Sequence, residues 1–352
     1  MPFYTPLRYP GGKRRLAAVV ARLLEQNGMA DIQYAEPYAG GAAIALSMLF
    51  DERASVVHIN DLSRPVYAFW YSVLNDTAEL CHRIEKAKVN MREWRRHRKI
   101  YEEQETAELN ELGFAALFLN RTNRSGIIGG GVIGGQEQKG EWGVDARFTK
   151  PELIHRIRRI GRYASRIKLY QMDAEDFTKS VVSKLGKNSF AFYDPPYIEN
   201  GRGLYLNDYS IGGHENLCRR VLKLKTPWVV TYDSSAVKHG LYAGCRCISY
   251  DLSYSANGRH MGKEVMFLSN DLEVPSDWNP GQRVFLSSER SEYPVYGMIE
   301  SMKPHPEMIE GPRAGERFMD ALRTVLKIPK SSIPTPFTKP VKKKKKPATR
   351  RG

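Results

Sequence analysis

Little in the sequence could build a covalent or metal-held scaffold. Its four cysteines (Cys81, Cys218, Cys245 and Cys247) form no CxxC pair and no zinc-ligand spacing. That argues against a disulfide framework and fits reduced thiols inside a cell. No apolar run approaches the ~18 residues that a spanning helix needs, and the N-terminal region has no apolar leader core. A soluble, cytoplasmic protein is therefore expected. No GxGxxG follows the first predicted strand and no P-loop motif is present, which argues against dinucleotide binding and nucleoside-triphosphate chemistry. The C-terminal stretch has no acidic residue. Residues 327–352 hold Lys327, Lys330, Lys339, the run Lys342 to Lys346, Arg350 and Arg351, which is ten of the fifteen net positive charges. With five prolines among them, these residues read as a disordered arm, either solubilising or attracted to nucleic acid.

The remaining sequence is globular in character. At 352 residues, 41% hydrophobic and 11% aromatic, it can bury a sizeable core. Short runs rich in β-branched or aromatic residues recur at 32–37, 55–61, 167–173, 189–196 and 227–235. Helical patterns separate most of them. Leu16, Val19, Val20, Leu23 and Leu24 line one face of 13–26, and 214–225 is a second such segment. The alternation predicts an α/β fold with an open, mostly parallel sheet. It breaks over residues 75–165, which are charged and helix-prone first, then glycine-rich; so long a stretch reads as an inserted domain. Its basic cluster (Arg92, Arg95, Arg96, Arg98, Lys99) suits either phosphate contact or a solvated face balanced by the acids at 102–111. A hairpin is expected over 247–271, turning at Asn257-Gly258. Beyond Pro275 the composition shifts to Pro, Ser and Glu, and one amphipathic segment remains at 315–328.

Candidate site residues gather at the predicted strand ends. After the first strand, "AEPYAGGAAI" (35–44) offers Glu36, then Gly40-Gly41 before a helix. Such glycines allow close backbone approach to a ligand, or simply a tight turn. Asp61 ends the next strand, where an α/β nucleoside site places a carboxylate on ribose hydroxyls; an N-cap role is compatible. Near the N-terminus, "RYPGGK" (8–13) supplies a turn and Lys13, either a surface cation or a ligand for a carboxylate. The most distinctive stretch is "FYDPPY" (192–197). Its prolines stiffen the strand exit, while Asp194 and Tyr197 present an acceptor and a flat face together. An exocyclic amine on a base is a poor nucleophile, because its lone pair is delocalised. A carboxylate and a backbone carbonyl could accept its two hydrogens and localise that lone pair, with the ring stacked on the extruded base.

With these motifs in this order, joined by "LFLNRTNRSGI" (117–127) and "SYSANGRHMGKEVMFLS" (253–269), the chain resembles the Dam-like DNA adenine N6-methyltransferases over residues 5–272. The resemblance implies a Rossmann-like S-adenosylmethionine-dependent methyltransferase sheet, formed by 1–74 and 166–274, with a mainly helical target-recognition domain inserted at 75–165. Residues 275–328 would be an extension of unassigned role, and 329–352 the basic tail. It implies a site-specific, adenine-specific methyltransferase that flips its target base and uses S-adenosylmethionine and no metal. By the same resemblance, Tyr9, Lys13, Glu36, Tyr38, Gly40 and Asp61 contact the cofactor, with Asp173 and Asp176 near its adenine. Asp194, Pro195, Pro196 and Tyr197 form the catalytic pocket, Asp194 also lying beside the cofactor. Arg121, Asn123 and Arg124 become candidates to contact double-stranded DNA. A monomer is expected, in a prokaryotic or phage setting, with a cognate nuclease or other defence-system protein as a further candidate partner. The glycine-rich "GIIGGGVIGG" (126–135) departs from the members that recognise GATC, so that specificity is not transferred.

Other substrates remain open: cytosine N4, RNA, or a protein glutamine amide. Each presents an amino group on an sp2 carbon. Cytosine enzymes more often begin the motif with Ser and glutamine enzymes with Asn, so Asp194 favours adenine. C5-cytosine chemistry needs a cysteine nucleophile, and none of the four lies in a suitable loop. A DNA-binding protein that holds the cofactor without turnover is the remaining alternative.

Overall fold

In the computed structural model, residues 4–8, 14–198, 210–254 and 260–275 are described, all within one compact unit, Met1–Tyr293. Tyr9, Lys13, the Asn257-Gly258 turn, the amphipathic segment at 315–328 and the basic tail lie outside the described residues.

Helix α1 (Arg14–Gln26) follows the apolar spacing of its sequence, with Leu16, Val19, Val20, Leu23 and Leu24 all buried. It ends where the Asn27 side chain donates to the Leu23 carbonyl (2.8 Å) and Gly28 takes a positive φ of 61°. Strand β1 (Ile32–Glu36), helix α2 (Ala43–Phe50) and strand β2 (Ala54–Asn60) follow. Five helices come next: α3 (Arg64–Asn75), α4 (Thr77–Lys86), α5 (Met91–Glu102), α6 (Leu109–Thr122) and α7 (Lys150–Gly161). The chain then resumes β/α alternation with β3 (Ile167–Tyr170), α8 (Ala174–Ser180), β4 (Ser189–Tyr193), α9 (Ile211–Val221) and β5 (Trp228–Asp233). The short α10 (Ser235–Lys238) and the hairpin of β6 (Arg246–Tyr254) and β7 (His260–Leu268) complete it.

The seven strands lie in the order β3-β2-β1-β4-β5-β7-β6. The first five are parallel, and β7 runs antiparallel to both β5 and β6. This is the expected α/β, Rossmann-like sheet. Every residue of β4 and β5 is buried, as expected of central strands covered on both faces. Their period of two divides the core. Tyr34, Phe190, Phe192 and Val229 face one cluster with residues of α1 and α2. Ala35, Ala191, Tyr193, Val230 and Tyr232 face the other, with Phe177 of α8 and Leu217 and Val221 of α9.

The first cluster continues without a break into α3–α7 through Phe69, Trp70, Phe118 and Leu153. At its centre, α6 is buried at every position from Leu112 to Thr122. A helix that is apolar all round needs neighbours on all sides, and α3 and α5 supply them. Gly113 permits the α3–α6 approach, because a Cβ there would lie 2.4 Å from both the Ala68 carbonyl oxygen and Ser72 Oγ. Between α6 and α7 the glycine-rich stretch forms turns pinned by one antiparallel bridge, Asn123 to Val132.

Gly113→Ala tests that contact. Alanine favours a helix interior by about 1 kcal/mol, but the clash is with a main-chain carbonyl that cannot rotate away. A net destabilisation of about 1–3 kcal/mol is expected by denaturant unfolding; equal or higher stability would show that the helices can move apart freely.

Candidate active site

Sheet order reverses between β1 and β4, whose neighbouring strands lead away in opposite directions. At such a switch point the loops after the two strands separate and leave a crevice at the carboxyl edge. Parallel register brings Ala35 opposite both His58 and Ala191, so the ends of β1, β2 and β4 lie side by side. Glu36 ends β1, Asp61 follows β2, Asp194 follows β4 and Asp233 ends β5. Four neighbouring parallel strands thus each deliver a carboxylate to one edge. Among the described residues, no three His, Cys, Asp or Glu side chains are grouped as a metal site requires.

Glu36 is 4% exposed, and its Oε2 accepts from the Ala45 N–H in the first turn of α2 at 3.0 Å. Burial raises its pKa well above the carboxylate range; the Ala45 bond opposes this and the Asp194 charge adds to it. Tyr34, two residues earlier, has a buried hydroxyl without a hydrogen-bond partner among the described residues. Its pKa is raised by burial first, then by Glu36 and Asp194, so all three groups share one electrostatic environment.

The loop after β1 is built by backbone capture. Asn60 Nδ2 donates to the carbonyls of Pro37 (2.9 Å) and Met172 (3.0 Å), and its Oδ1 accepts from the Met172 N–H (2.9 Å). One buried amide therefore ties the exits of β1, β2 and β3 together. Asp61 Oδ2 accepts from the Gly40 N–H (2.8 Å) and Oδ1 from the Ser63 N–H (2.9 Å), while Trp70 Nε1 donates to the Gly40 carbonyl (2.9 Å). Desolvation outweighs the two N–H bonds and pushes the Asp61 pKa up to about 6. Gly40 (φ 47°) and Ala42 (φ 48°) are both left-handed, so the glycine accommodates a turn that a Cβ would strain. Tyr38 is half-buried and packs against the second cluster.

On the β4 side, Thr231 Oγ1 donates to Asp194 Oδ1 at 2.8 Å. Pro195 and Pro196 are buried and Tyr197 is half-buried, its hydroxyl donating to Glu264 Oε1. Asp173 caps α8, accepting from the Glu175 N–H (2.8 Å), whereas Asp176 is exposed in that helix's first turn.

The three candidate DNA contacts separate. Arg121 is 2% exposed and donates from Nε to the Arg147 carbonyl (2.7 Å). Asn123 is fully buried; its Oδ1 accepts from Trp94 Nε1 (2.7 Å) and its Nδ2 donates to the carbonyls of Ile127 (3.0 Å) and Ile128 (2.8 Å). Both side chains shape the glycine-rich loop from inside. Arg124 alone of the three is exposed. On α5, Arg98 holds the carbonyls of Gly129 (2.8 Å) and Gly130 (3.2 Å), while Arg92, Arg95, Arg96 and Lys99 face outward.

The family model for the D12 class N6 adenine-specific DNA methyltransferases matches residues 9–254. The chain belongs to that family. Solved structures with a partial likeness include the rRNA methyltransferase AviRa from Streptomyces viridochromogenes, at 14% identity over 74% of this chain and 85% of that chain (TM-score 0.36). TrmN from Thermus thermophilus is 12% identical over 73% of this chain and 52% of that one (TM-score 0.33). No match was found among curated proteins. No helix among the described residues is long and apolar enough to cross a membrane.

Asn60, Asn120, Thr231, Asp233 and Glu264 were not legible as site or support residues one at a time. The repeated strand-end carboxylate was a usable signal for Asp233, whereas Glu264, next to Lys263 at the head of "VMFL", reads as an ordinary charged strand residue. Asn120 had no such signal. Its Oδ1 accepts from the Arg8 N–H, and its Nδ2 donates to the carbonyls of Arg8 and Gly126, each at 2.7 Å. It joins the start of the "RYPGGK" segment to the turn after α6. Asn120→Ala leaves these backbone groups unsatisfied and is expected to cost about 2–4 kcal/mol in denaturant unfolding. A loss below about 1 kcal/mol would mean that water replaces the side chain.

Proposed function

We propose that the protein transfers the methyl group of S-adenosylmethionine to the N6 amino group of adenine at a specific sequence in double-stranded DNA, with the target base turned out of the helix. The observation that carries this reading is the pairing of Glu36 with Asp194 at the β1/β4 switch point. A buried carboxylate whose pKa is raised by desolvation, and further by a neighbouring carboxylate, is stabilised in its charged form by a cationic organic ligand. S-adenosylmethionine supplies a methyl carbon on a positively charged sulfur. The residues present fit it: the buried Tyr34 hydroxyl, unpartnered among the described residues, adds a polar group beside Glu36, and the Gly40 turn admits close backbone approach. Asp61 holds the ribose hydroxyls, since each carboxylate oxygen keeps acceptor capacity beyond one N–H bond. Asp173, at the N-cap of α8, and Asp176 lie toward the adenine end.

The base is handled by the DPPY stretch. Asp194, oriented by Thr231, accepts one amino hydrogen and a proline-flanked backbone carbonyl accepts the other. Removing both hydrogens from competition localises the nitrogen lone pair toward the methyl carbon. Tyr197 provides the stacking face. Residues 1–74 and 166–274 form the catalytic domain in this reading, and 75–165 recognise the target. Exposed Arg124, with Arg92, Arg95, Arg96 and Lys99, offers the cationic surface that a phosphate backbone requires. Arg121 and Asn123 support that surface from within rather than touching DNA.

Single-molecule sequencing of DNA from cells expressing the protein tests the reading, because it reports the modified base and its context together. N6-methyladenine in one motif is expected, and Asp194→Ala should lower its formation by about a hundredfold or more. Persistent methylation in the variant, or a modified cytosine in the wild type, would overturn the assignment.

A pH dependence follows from Asp61. Its pKa of about 6 in the folded state lies above the ordinary value of 3.8, so the fold favours its protonated form and loses stability as pH rises through that interval. Ribose hydroxyls donate to the ionised form. Cofactor affinity should therefore increase about tenfold between pH 5 and pH 7, as Asp61 deprotonates. Calorimetric titration of the wild type and of Asp61→Asn checks this; an equally steep rise in the variant would assign the dependence to another group.

A further inference from the structure

Glu264 is an unusual residue for the middle of β7. It is 0% exposed, in a strand whose neighbours Val265, Met266, Phe267 and Leu268 are all core residues. An ionised carboxylate costs several kcal/mol to bury unless hydrogen bonds replace its water. Two tyrosines supply those bonds from opposite directions. Tyr250, its cross-strand partner on β6, donates to Oε2 at 2.6 Å. Tyr197 donates to Oε1 from the loop after β4, 67 residues away in sequence. On its other side, β5 places Asp233, another acid, opposite Glu264.

This arrangement is a poor way to stabilise a hairpin. An apolar residue of similar size, with phenylalanine at both tyrosines, would pack between β5 and β6 without the desolvation cost, and replacing every member of such a buried group is often neutral or stabilising. What an apolar residue would lose is a fixed acceptor for the Tyr197 hydroxyl. Tyr197 is half-buried, while the two prolines before it are buried and rigid, so its main-chain position is set and its ring remains the variable part. A hydrogen bond at the para position removes that freedom, because the hydroxyl lies on the axis of the ring and anchors its far end.

We propose that Glu264 is a positioning residue for methyl transfer, and that it holds the Tyr197 ring as a fixed stacking face for the extruded base. The proposal rests on the function proposed above. Tyr250 bonds the other carboxylate oxygen but does not act on the base.

Single-turnover methylation, with cofactor affinity and thermal unfolding measured alongside, tests it. Glu264→Met keeps the volume and removes the acceptor; Tyr197→Phe keeps Glu264 and removes only the donor. Each should lower the methyl-transfer rate about tenfold or more, with cofactor affinity unchanged. The double variant should be no slower than the slower single variant, because both changes break one bond. Tyr250→Phe removes the other bond to the same carboxylate and should keep the wild-type rate. With 2-aminopurine at the target adenine, the complexes of Glu264→Met and Tyr197→Phe should fluoresce more brightly than wild type, as the base stacks less. Should Glu264→Met fail to fold, Tyr197→Phe and Tyr250→Phe still decide the matter. Equal rate losses in those two variants, additive losses in the double variant, or a wild-type rate in Tyr197→Phe would overturn the proposal. Failure of the underlying reading shows separately, in the wild type, as methyl transfer to a base other than adenine or to no base.

Discussion

Water is removed from carboxylates at the carboxyl edge of this sheet, and much else follows from how that cost is met. Burial first, and then the Asp194 charge, raises the Glu36 pKa at the β1/β4 switch point, and Asp61 and Asp233 extend the same acidic edge. Such an edge is ill suited to touch DNA directly, because like charges repel. The fold meets the cost elsewhere by aiming main-chain N–H groups at the carboxylates: Ala45 at Glu36, and Gly40 and Ser63 at Asp61. Hydrogen bonds of this kind both stabilise and orient, so the residues that make burial tolerable are the ones that fix the loop.

Rigidity at the site comes mainly from side chains bound to backbone. Asn60 gathers three strand exits, Trp70 secures Gly40, and Asn120 joins Arg8 to Gly126. Each reaches between segments far apart in sequence, so loosening any one would be felt on both sides of the crevice. The helices between β2 and β3 share this construction. Their core is continuous with one face of the sheet, and Gly113 allows α6 to approach α3 closely. The glycine-rich turns are held from inside by Asn123 and Arg98, which leaves Arg124 and the outer face of α5 turned to solvent.

Much of the fold was legible in the sequence because periodicity is local. Leu16, Val19, Val20, Leu23 and Leu24 announce α1, and the five apolar runs became five parallel strands within a few residues of their expected limits. The hairpin at the end of the sheet was equally plain. Helices α3, α4 and α7 were not resolved individually, since their sequences mix charge with apolar residues and carry no sharp boundary. Glu36, Gly40, Asp61 and Asp194 could be picked out because strand-end loops in an open α/β sheet converge, whatever the details of packing.

Sequence alone therefore determined the sheet and the order of its motifs, both of which depend on neighbouring residues. Tertiary structure decided which polar side chains are committed to the protein. Arg121, Asn123 and Arg124 are nearly adjacent in sequence, yet two are buried against backbone carbonyls and one is exposed. Tyr197 and Glu264 are 67 residues apart, and Arg8 and Asn120 are 112 apart. A hydrogen bond depends on distance and angle between groups that only the completed chain path brings together. Burial likewise depends on what every other segment covers, and that is not encoded at the residue itself.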